Sequence, residues 1–496
     1  MEFSTKSKKV LFVFPAYDHE SLGLEVLSAS LKKAGHSADL ILNHPDEKYF
    51  KKRLIKRILD FKPDFIGFSV MTDDYLWACE TSKFIKSFKD IPIIFGGIQA
   101  TSCTDEVISN SFVDYAVVGE AEEALIELIE NPKRTNIKNV WSKKNNKIYK
   151  NPLRPLIQDL DSIPFPDKGL FLKEAPYLGE IYYIMTGRGC PYACTYCFNN
   201  YMRKAYKGCK WLRRRSVENV MEELRLMKKK NMYKMVLFGD DVFTYDVNWL
   251  REFFKYYTKE INLPFKSLGH TAFITPEIVS LLKKGGCIRL QIGVQTPSER
   301  IRRDICKRND TNKMIYEAIK EIKKQGIMVQ IDHMFGLPTE SAKEYRESMG
   351  FYIDIKPHYI SDFWLQYYPN TDIINVGLSC GDIDNKLVND TIKGKVNYSE
   401  VILKRKQDKE ILAMSRFIKW IPLLPRGVSW IILKNNLYRI FISDKINMVP
   451  YILQHMKSPD LMKTAYRSYR RKKVTEKLYR NLDKKFANFK IPKKLD

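Results

Sequence analysis

Over the first 130 residues short apolar runs alternate with amphipathic stretches. Val10 to Phe14, Ala38 to Leu42, Asp64 to Val70, Ile91 to Gly97 and Tyr115 to Gly119 read as buried strands. Leu22 to Ala34, Glu47 to Asp60 and Asp74 to Lys89 carry helical periodicity, the first ending at Gly35. Repeated strand–helix units of this kind predict an α/β domain with a doubly wound, Rossmann-like parallel sheet. Its ligands are expected outside the carboxyl ends of the strands. Those ends hold Tyr17, Ser69, Thr72, Gly96, Gly97, Gln99, Gly119 and Glu120, and the glycines let a flat ligand approach the backbone. No G-x-G-x-x-G follows the first strand, so a dinucleotide is not expected. The Pro-rich stretch Leu160 to Asp167 has the composition of a domain boundary. After Tyr367 to Thr371 helical periodicity dominates, and Val474, Leu478, Leu482 and Phe486 recur among lysines and arginines as a basic amphipathic helix.

Charge adds a second layer. The 496 residues carry 84 Lys and Arg against 58 Asp and Glu, a formal net charge of +26, with 44% hydrophobic residues. That composition excludes a disordered chain, and the charge calls for an anionic partner without specifying a fold. From residue 401 onward 24 Lys and Arg face 7 Asp and Glu, so +17 of the excess lies in the last 96 residues. The apolar run after Lys6, Lys8 and Lys9 stops at Pro15, too short for a signal-peptide core. The stretch Trp420 to Leu433 is broken by Arg426 and falls below the roughly 20 residues needed to span a bilayer. Nine scattered cysteines do not resemble a disulfide framework. A cytoplasmic protein is expected, peripheral at most to the inner face of the membrane.

Three cysteines change the picture. After the strand-like Ile181 to Thr186 comes a compact loop with Cys190, Cys194 and Cys197 at C-x3-C-x2-C spacing. Three thiolates can hold three irons of a 4Fe-4S cluster and leave the fourth open. Structural zinc competes, but it wants a fourth nearby ligand. Cys209 is 12 residues on, and no histidine lies between Cys197 and His270.

This loop, with Tyr196 before its last cysteine, resembles the cluster loop of radical S-adenosylmethionine enzymes. Val236 to Phe243 resembles their second-strand motif, Gln291 to Thr296 the fourth-strand segment, and Phe335 to Glu340 the fifth-strand Gly-Leu-Pro-x-Glu segment. The resemblance implies a partial (β/α)6 barrel with Asp240, Asp241 and Gln295 lining the S-adenosylmethionine site. On the third strand, where many relatives have arginine, this chain has His270. A doubly wound domain ahead of such a barrel is similar to the cobalamin-binding domain of the cobalamin-dependent subclass. The resemblance extends to Leu160 to Asp167, and it implies Tyr17, Ser69, Thr72, Gly97 and Gln99 as cobalamin contacts. Asp-x-His-x-x-Gly is missing, because Asp18, His19 and Gly23 have the wrong spacing; the resemblance implies cobalamin without a histidine ligand. The expected division is a cobalamin-binding domain over 1–150, a linker over 151–180, a barrel over 181–380 and a helical basic region over 381–496.

The implied cofactors are a 4Fe-4S cluster, S-adenosylmethionine and cobalamin. The implied chemistry is reductive cleavage of S-adenosylmethionine to a 5′-deoxyadenosyl radical, then methylation of an unactivated carbon from cobalamin. The same cofactors can instead run a ring contraction or cyclisation. A tRNA methylthiotransferase would need a second cysteine triad in the first domain, which holds only Cys79 and Cys103. A non-catalytic cobalamin or redox sensor is a further class, distinguished by the absence of 5′-deoxyadenosine. Expected partners are a small-molecule or lipid-linked substrate, an electron donor such as flavodoxin or ferredoxin, and an anionic membrane surface. The membrane contact would run through the basic tail with Trp420, Leu423, Leu424 and Trp430. Nucleic acid is not expected. Arg213 to Arg215 read as a solvated turn, Cys209 as a spectator thiol, and Cys287, Cys306 and Cys380 as packing residues.

Overall fold

The computed structural model describes residues 7–16, 19–396 and 409–441, together with positions 449, 450, 453 and 473. Five strands, β1 (Lys9–Phe14), β2 (Ser37–Leu42), β3 (Phe65–Ser69), β4 (Ile93–Gly96) and β5 (Tyr115–Val117), form a parallel sheet in the order 2-1-3-4-5. Two antiparallel strands absent from the sequence reading, β6 (Val140–Lys144) and β7 (Lys147–Tyr149), extend it beyond β5. Apolar side chains on alternate positions feed two separate cores. Leu11, Val13, Ile66 and Phe68 pack on one face, and Val10, Phe12, Phe14 and Phe65 on the other. Helices therefore cover both faces, as in a doubly wound sheet. Ser21 caps Leu22–Lys33 and Asp46 caps Glu47–Phe61, each by accepting an amide of the first turn.

The second sheet contains β8 (Ile181–Ile184), β11 (Met235–Phe238), β12 (Phe265–Gly269), β13 (Cys287–Gln295), β14 (Met328–Phe335) and β15 (Tyr359–Trp364). All five pairings are parallel, in the order 15-14-13-12-11-8, and β8 and β15 do not pair. This is the expected partial (β/α)6 barrel. Between β8 and β11, a short antiparallel pair joins β9 (Gly187–Arg188) to β10 (Arg213–Arg214).

The region after the barrel is not a separate layer. Helices 409–417 and 426–434 place Ala413, Met414, Phe417, Ile418, Ile421 and Leu433 in the barrel's own core. Trp420, Leu424 and Trp430 pack against that core too. An added Cβ on Gly350 would lie 3.0 Å from the Trp430 ring, and Trp430 Nε1 donates to Asp354 Oδ1 at 3.2 Å. These aromatic residues, expected to face a membrane, are used in packing. The amphipathic stretch Val474 to Phe486 lies outside the described residues.

Candidate active site

The carboxyl ends of both sheets open onto one cavity of about 490 Å³ between the two domains. Ser69, Gly97 and Gly119 line it from the first sheet; Met185, Gly187, Arg188, Gly189, Asn199 and Asp241 line it from the second. Leu160, Ile163, Pro164, Phe165 and Pro166 of the linker close a third, mostly apolar wall.

Two buried ionic clusters hold the domains around this space. Glu120, just past β5, accepts from Arg213 Nη1 and Nη2 at 3.0 and 2.8 Å, and from Arg188 Nη1 at 2.9 Å. Arg188 Nη2 also reaches Glu122 at 2.6 Å. Burial alone would raise the Glu120 pKa, but the two guanidinium groups outweigh it and hold the carboxyl below its ordinary range. Lys168 of the linker is 3% exposed. It donates to Glu20, to Glu25 at 2.8 Å and to the Tyr183 carbonyl at 2.7 Å. Burial raises the Glu25 pKa, against the pull of Lys168. Arg213 to Arg215 are thus not a solvated turn. Arg213 is buried on Glu120, Arg214 stacks 3.9 Å from the Trp249 ring centroid, and Arg215 pairs with Glu223 at 2.6 Å.

The cysteine loop leaves β9 at Gly189, whose φ is +91°. A Cβ there would lie 2.5 Å from the Trp211 carbonyl oxygen, so only glycine fits. Thr195 fastens the loop to the turn after β13, its amide donating to the Cys306 carbonyl at 3.2 Å and its hydroxyl to that of Ile305 at 2.7 Å. Cys197 starts the helix Phe198–Ala205. Burial, with Asp241 and the neighbouring thiols, pushes Cys190 up to about 12, and burial pushes Cys197 up to about 11. Three thiolates gathered here repel one another until cationic irons balance them, so the site fits an iron–sulfur cluster.

Asp240, expected to line the S-adenosylmethionine site, is instead 4% exposed and bound to β8. It accepts from the Thr186 amide at 3.0 Å and the Thr186 hydroxyl at 2.8 Å. Its neighbour Asp241 lines the cavity beside Asn199. Gln295 ends β13 at a register shift, with a left-handed φ of +67°. A non-glycine residue held there stores strain, as functional positions commonly do. His270 stacks on Tyr192 with centroids 3.9 Å apart, and its Nε2 lies 3.0 Å from Arg308 Nη2. Burial and Arg308 hold the imidazole neutral, well below its ordinary pKa. Arg308, which the sequence reading missed, also donates to the Gly293 carbonyl at 2.7 Å and pairs with Asp310 at 3.1 Å. It brings a guanidinium beside the third strand from the turn after β13.

In the first domain Ser69 and Gly97 meet at the cavity. Gly97 has φ +88°, and an added Cβ would lie 2.7 Å from Val70 N and 3.2 Å from Ser69 Oγ. Thr72 is buried, and its hydroxyl has no hydrogen-bond partner among the described residues. Gln99 points elsewhere, donating to the Ile392 carbonyl at 2.7 Å and so tethering the helix Asn385–Ile392. Tyr17 lies outside the described residues. A glycine-lined backbone edge and an apolar linker wall fit the edge of a flat macrocycle. Of the remaining cysteines, Cys287 and Cys306 are buried, Cys380 is exposed, and Cys209 shares a surface depression with Cys190.

Residues 8–129 match the family model of the B12 binding domain, and residues 184–352 that of the Radical SAM superfamily. The chain is 26% identical over 359 residues to an uncharacterized methyltransferase of Pyrococcus horikoshii, covering 71% of this chain and 76% of that protein. To the anaerobic magnesium-protoporphyrin IX monomethyl ester cyclase of Rubrivivax gelatinosus it is 23% identical over 395 residues, 73% of this chain and 68% of the cyclase. Its fold is similar to that of the radical S-adenosylmethionine methyltransferase TsrM from Kitasatospora setae, solved with cobalamin and a 4Fe-4S cluster bound. The TM-score is 0.64 at 17% identity, over 76% of each chain. With a B12-binding domain preceding a radical SAM domain, and the two opening onto one cavity, the chain belongs to the cobalamin-dependent radical S-adenosylmethionine enzymes.

Proposed function

We propose that this enzyme methylates an unactivated carbon of a small-molecule or lipid-linked substrate. When bound, the cluster and cobalamin supply electron transfer to S-adenosylmethionine and carriage of its methyl group. Cys190, Cys194 and Cys197 hold the cluster, while Asp241 and Gln295 face S-adenosylmethionine. Asp240 acts one step back, fixing Thr186 at the end of β8. Ser69, Thr72 and Gly97 bound the cobalamin edge. The Glu120 and Lys168 clusters keep the two halves in register and exclude water from the seam. One observation carries this reading: the glycine-lined end of the first sheet and the cysteine loop of the second, through Gly189 and Asn199, border one cavity.

The test is an anaerobic reaction of reconstituted enzyme with candidate substrates and S-adenosylmethionine carrying a deuterated methyl group, followed by mass spectrometry. A labelled product supports methyl transfer. A rearranged, unlabelled product with 5′-deoxyadenosine would favour ring formation, the activity for which the Rubrivivax relative is named.

Among the described residues no helix is long and apolar enough to cross a membrane. The C-terminal region nonetheless exposes Val428, Leu437, Ile431 (58%) and Ile440 (70%) beside Lys434 and Arg439. This surface supports peripheral contact with an anionic membrane. Salt-sensitive pelleting with anionic liposomes, lost in an Ile431→Ser, Ile440→Ser variant, is the expected outcome; no pelleting at low salt contradicts it.

A further inference from the structure

The inner face of the barrel carries charge of its own, away from the cysteine loop. Along β12, β13 and β14 side chains alternate between the two faces of the sheet. Leu290, Ile292, Val294, Val329 and Ile331 point outward into the core beneath the helices. The opposite set, Lys266, Arg289, Gln291, Gln330 and Asp332, faces the barrel interior, as does Ser361 of β15. The interior of a closed barrel is ordinarily filled by layers of branched apolar side chains. This open one is lined by polar groups on β13 to β15, while Leu237 of β11 and Leu268 of β12 add a partly exposed apolar wall.

Most of these polar groups satisfy one another. Arg289 Nη1 donates to Gln330 Oε1 at 3.1 Å, Gln330 Nε2 to Ser361 Oγ at 3.0 Å, and Gln291 Nε2 to Asp332 Oδ2 at 2.7 Å. The Arg289 guanidinium also lies 5.2 Å from the Tyr359 ring centroid. Lys266 is the exception, with no hydrogen-bond or ion-pair partner among the described residues. It stands directly opposite Arg289 in the strand register, and like charges so placed repel. Burial and Arg289 together push the Lys266 ammonium down to about 8, so it is still largely charged at neutral pH. Asp332, the carboxylate on the same inner face, does not neutralise the pair. It is in register with Gly293 and engaged by Gln291, and Gly293 is four residues, about 13 Å, further along β13 than Arg289. Two cations held side by side at a cost to folding break the local rules of a barrel interior, as binding sites do.

We propose that Lys266 and Arg289 form an oxyanion subsite deep in the barrel that holds the carboxylate or phosphate end of an elongated, otherwise apolar substrate. The proposal rests on the methylation reading above and names the substrate class. Both cations lie toward the amino ends of β12 and β13, whereas Gly293 and Gln295 lie at the end of β13 where the chemistry occurs. An anionic group anchored on Lys266 and Arg289 is therefore separated from the reacting carbon by about 13 Å or more of strand rise. Leu237 and Leu268 offer the apolar body a wall along that path, and Gln330 and Ser361 offer amide and hydroxyl groups beside the anionic end. The bound oxyanion accepts hydrogen bonds from the Lys266 ammonium and the Arg289 guanidinium, and it offsets their mutual repulsion.

The test uses the reconstituted enzyme and three alkyl probes, octyl phosphate, octanoate and neutral octanol, with binding measured by calorimetry. The parent is expected to bind at least one of the two anions about tenfold tighter than octanol, and the anion it prefers tells whether the subsite takes phosphate or carboxylate. Lys266→Met should lose that preference, and Lys266→Arg should keep it. Both variants should retain the iron content of the parent. Without a probe, Lys266→Met should also unfold at a higher temperature than the parent, because it removes the repulsion from Arg289; loss of a structural contact would lower the midpoint instead. A parent that binds both anions no tighter than octanol overturns the proposal. So does a Lys266→Met variant that keeps the preference, which would place the anion elsewhere, as on the basic C-terminal region. Binding is read without turnover, so failure to transfer a labelled methyl group would count against the proposed function and not against this subsite.

Discussion

The carboxyl ends of the two parallel sheets face the same cavity but are built from different materials. The first presents backbone: Gly97 and Gly119 at positive φ, Ser69 and an apolar linker wall. The second presents polar side chains, Arg188 and Asn199 from the two flanks of the cysteine loop and Asp241 from just past β11. The difference follows from what each must hold. A cluster is bound through ligand bonds, so its site is a fixed set of thiols on a tightly fastened loop. A large flat macrocycle can be bound by shape and apolar contact, and glycines leave such a surface free of side chains. Between them lies a seam of buried ion pairs.

Separate lesions should break the two ends independently. The largest effect is expected from Cys194→Ala, which should abolish iron binding and S-adenosylmethionine cleavage while cobalamin is still retained through gel filtration. Next is the seam. Glu120→Ala leaves Arg213 buried without its carboxylate and Arg188 with Glu122 alone, and should cost about 3 kcal/mol in chemical denaturation, because a broken buried pair leaves uncompensated charge. Gly97→Val forces a branched side chain into a left-handed backbone 2.7 Å from Val70 N. It should cost about 2 kcal/mol and lose cobalamin while iron content is unchanged. Asp241→Asn should weaken S-adenosylmethionine binding by about tenfold, equivalent to about 1.4 kcal/mol, with no change in unfolding. Asp240→Ala should instead lower stability by about 1–3 kcal/mol through the orphaned Thr186 amide.

The seam also has a pH signature of smaller size. The Glu120 carboxyl is held below its ordinary range, so its stabilising contribution is present above the unfolded pKa of 4.5 and is lost as pH falls through the lowered value. Glu25 is raised, so the folded state binds a proton that the unfolded state releases. Its contribution is full below 4.5 and is lost as pH rises through the raised value. Thermal unfolding across pH should therefore decline on both sides. Glu120→Gln should flatten the acid limb and Glu25→Gln the alkaline one.

Local patterns revealed the elements and the cysteine loop, because strand alternation and C-x3-C-x2-C spacing are properties of neighbouring residues. The five strands of the first domain fall within two residues of their expected positions. What stayed hidden depends on distant partners. Arg213 and Glu120 are 93 residues apart, and Lys168 and Glu25 are 143 apart, so nothing in the basic run Arg213 to Arg215 marked it as interior. Asp240 and Asp241 are adjacent, and only the placement of Thr186 shows which one is consumed by structure. Gln99 has the same history, since its partner is the Ile392 carbonyl. Trp420 and Trp430 sit in a sequence that resembles a membrane face, but the helix Ala342–Ile355 supplies a surface to cover. Arg308 was hidden because it lies 38 residues beyond His270, in the turn after β13.

Metal stoichiometry in three proteins tests the two-ended site most directly. Anaerobically reconstituted parent enzyme is expected to carry about four iron and one cobalt per chain, with Cys194→Ala losing only iron and Gly97→Val losing only cobalt. A parent protein that binds neither metal after reconstitution, or variants that each leave both contents unchanged, would contradict it.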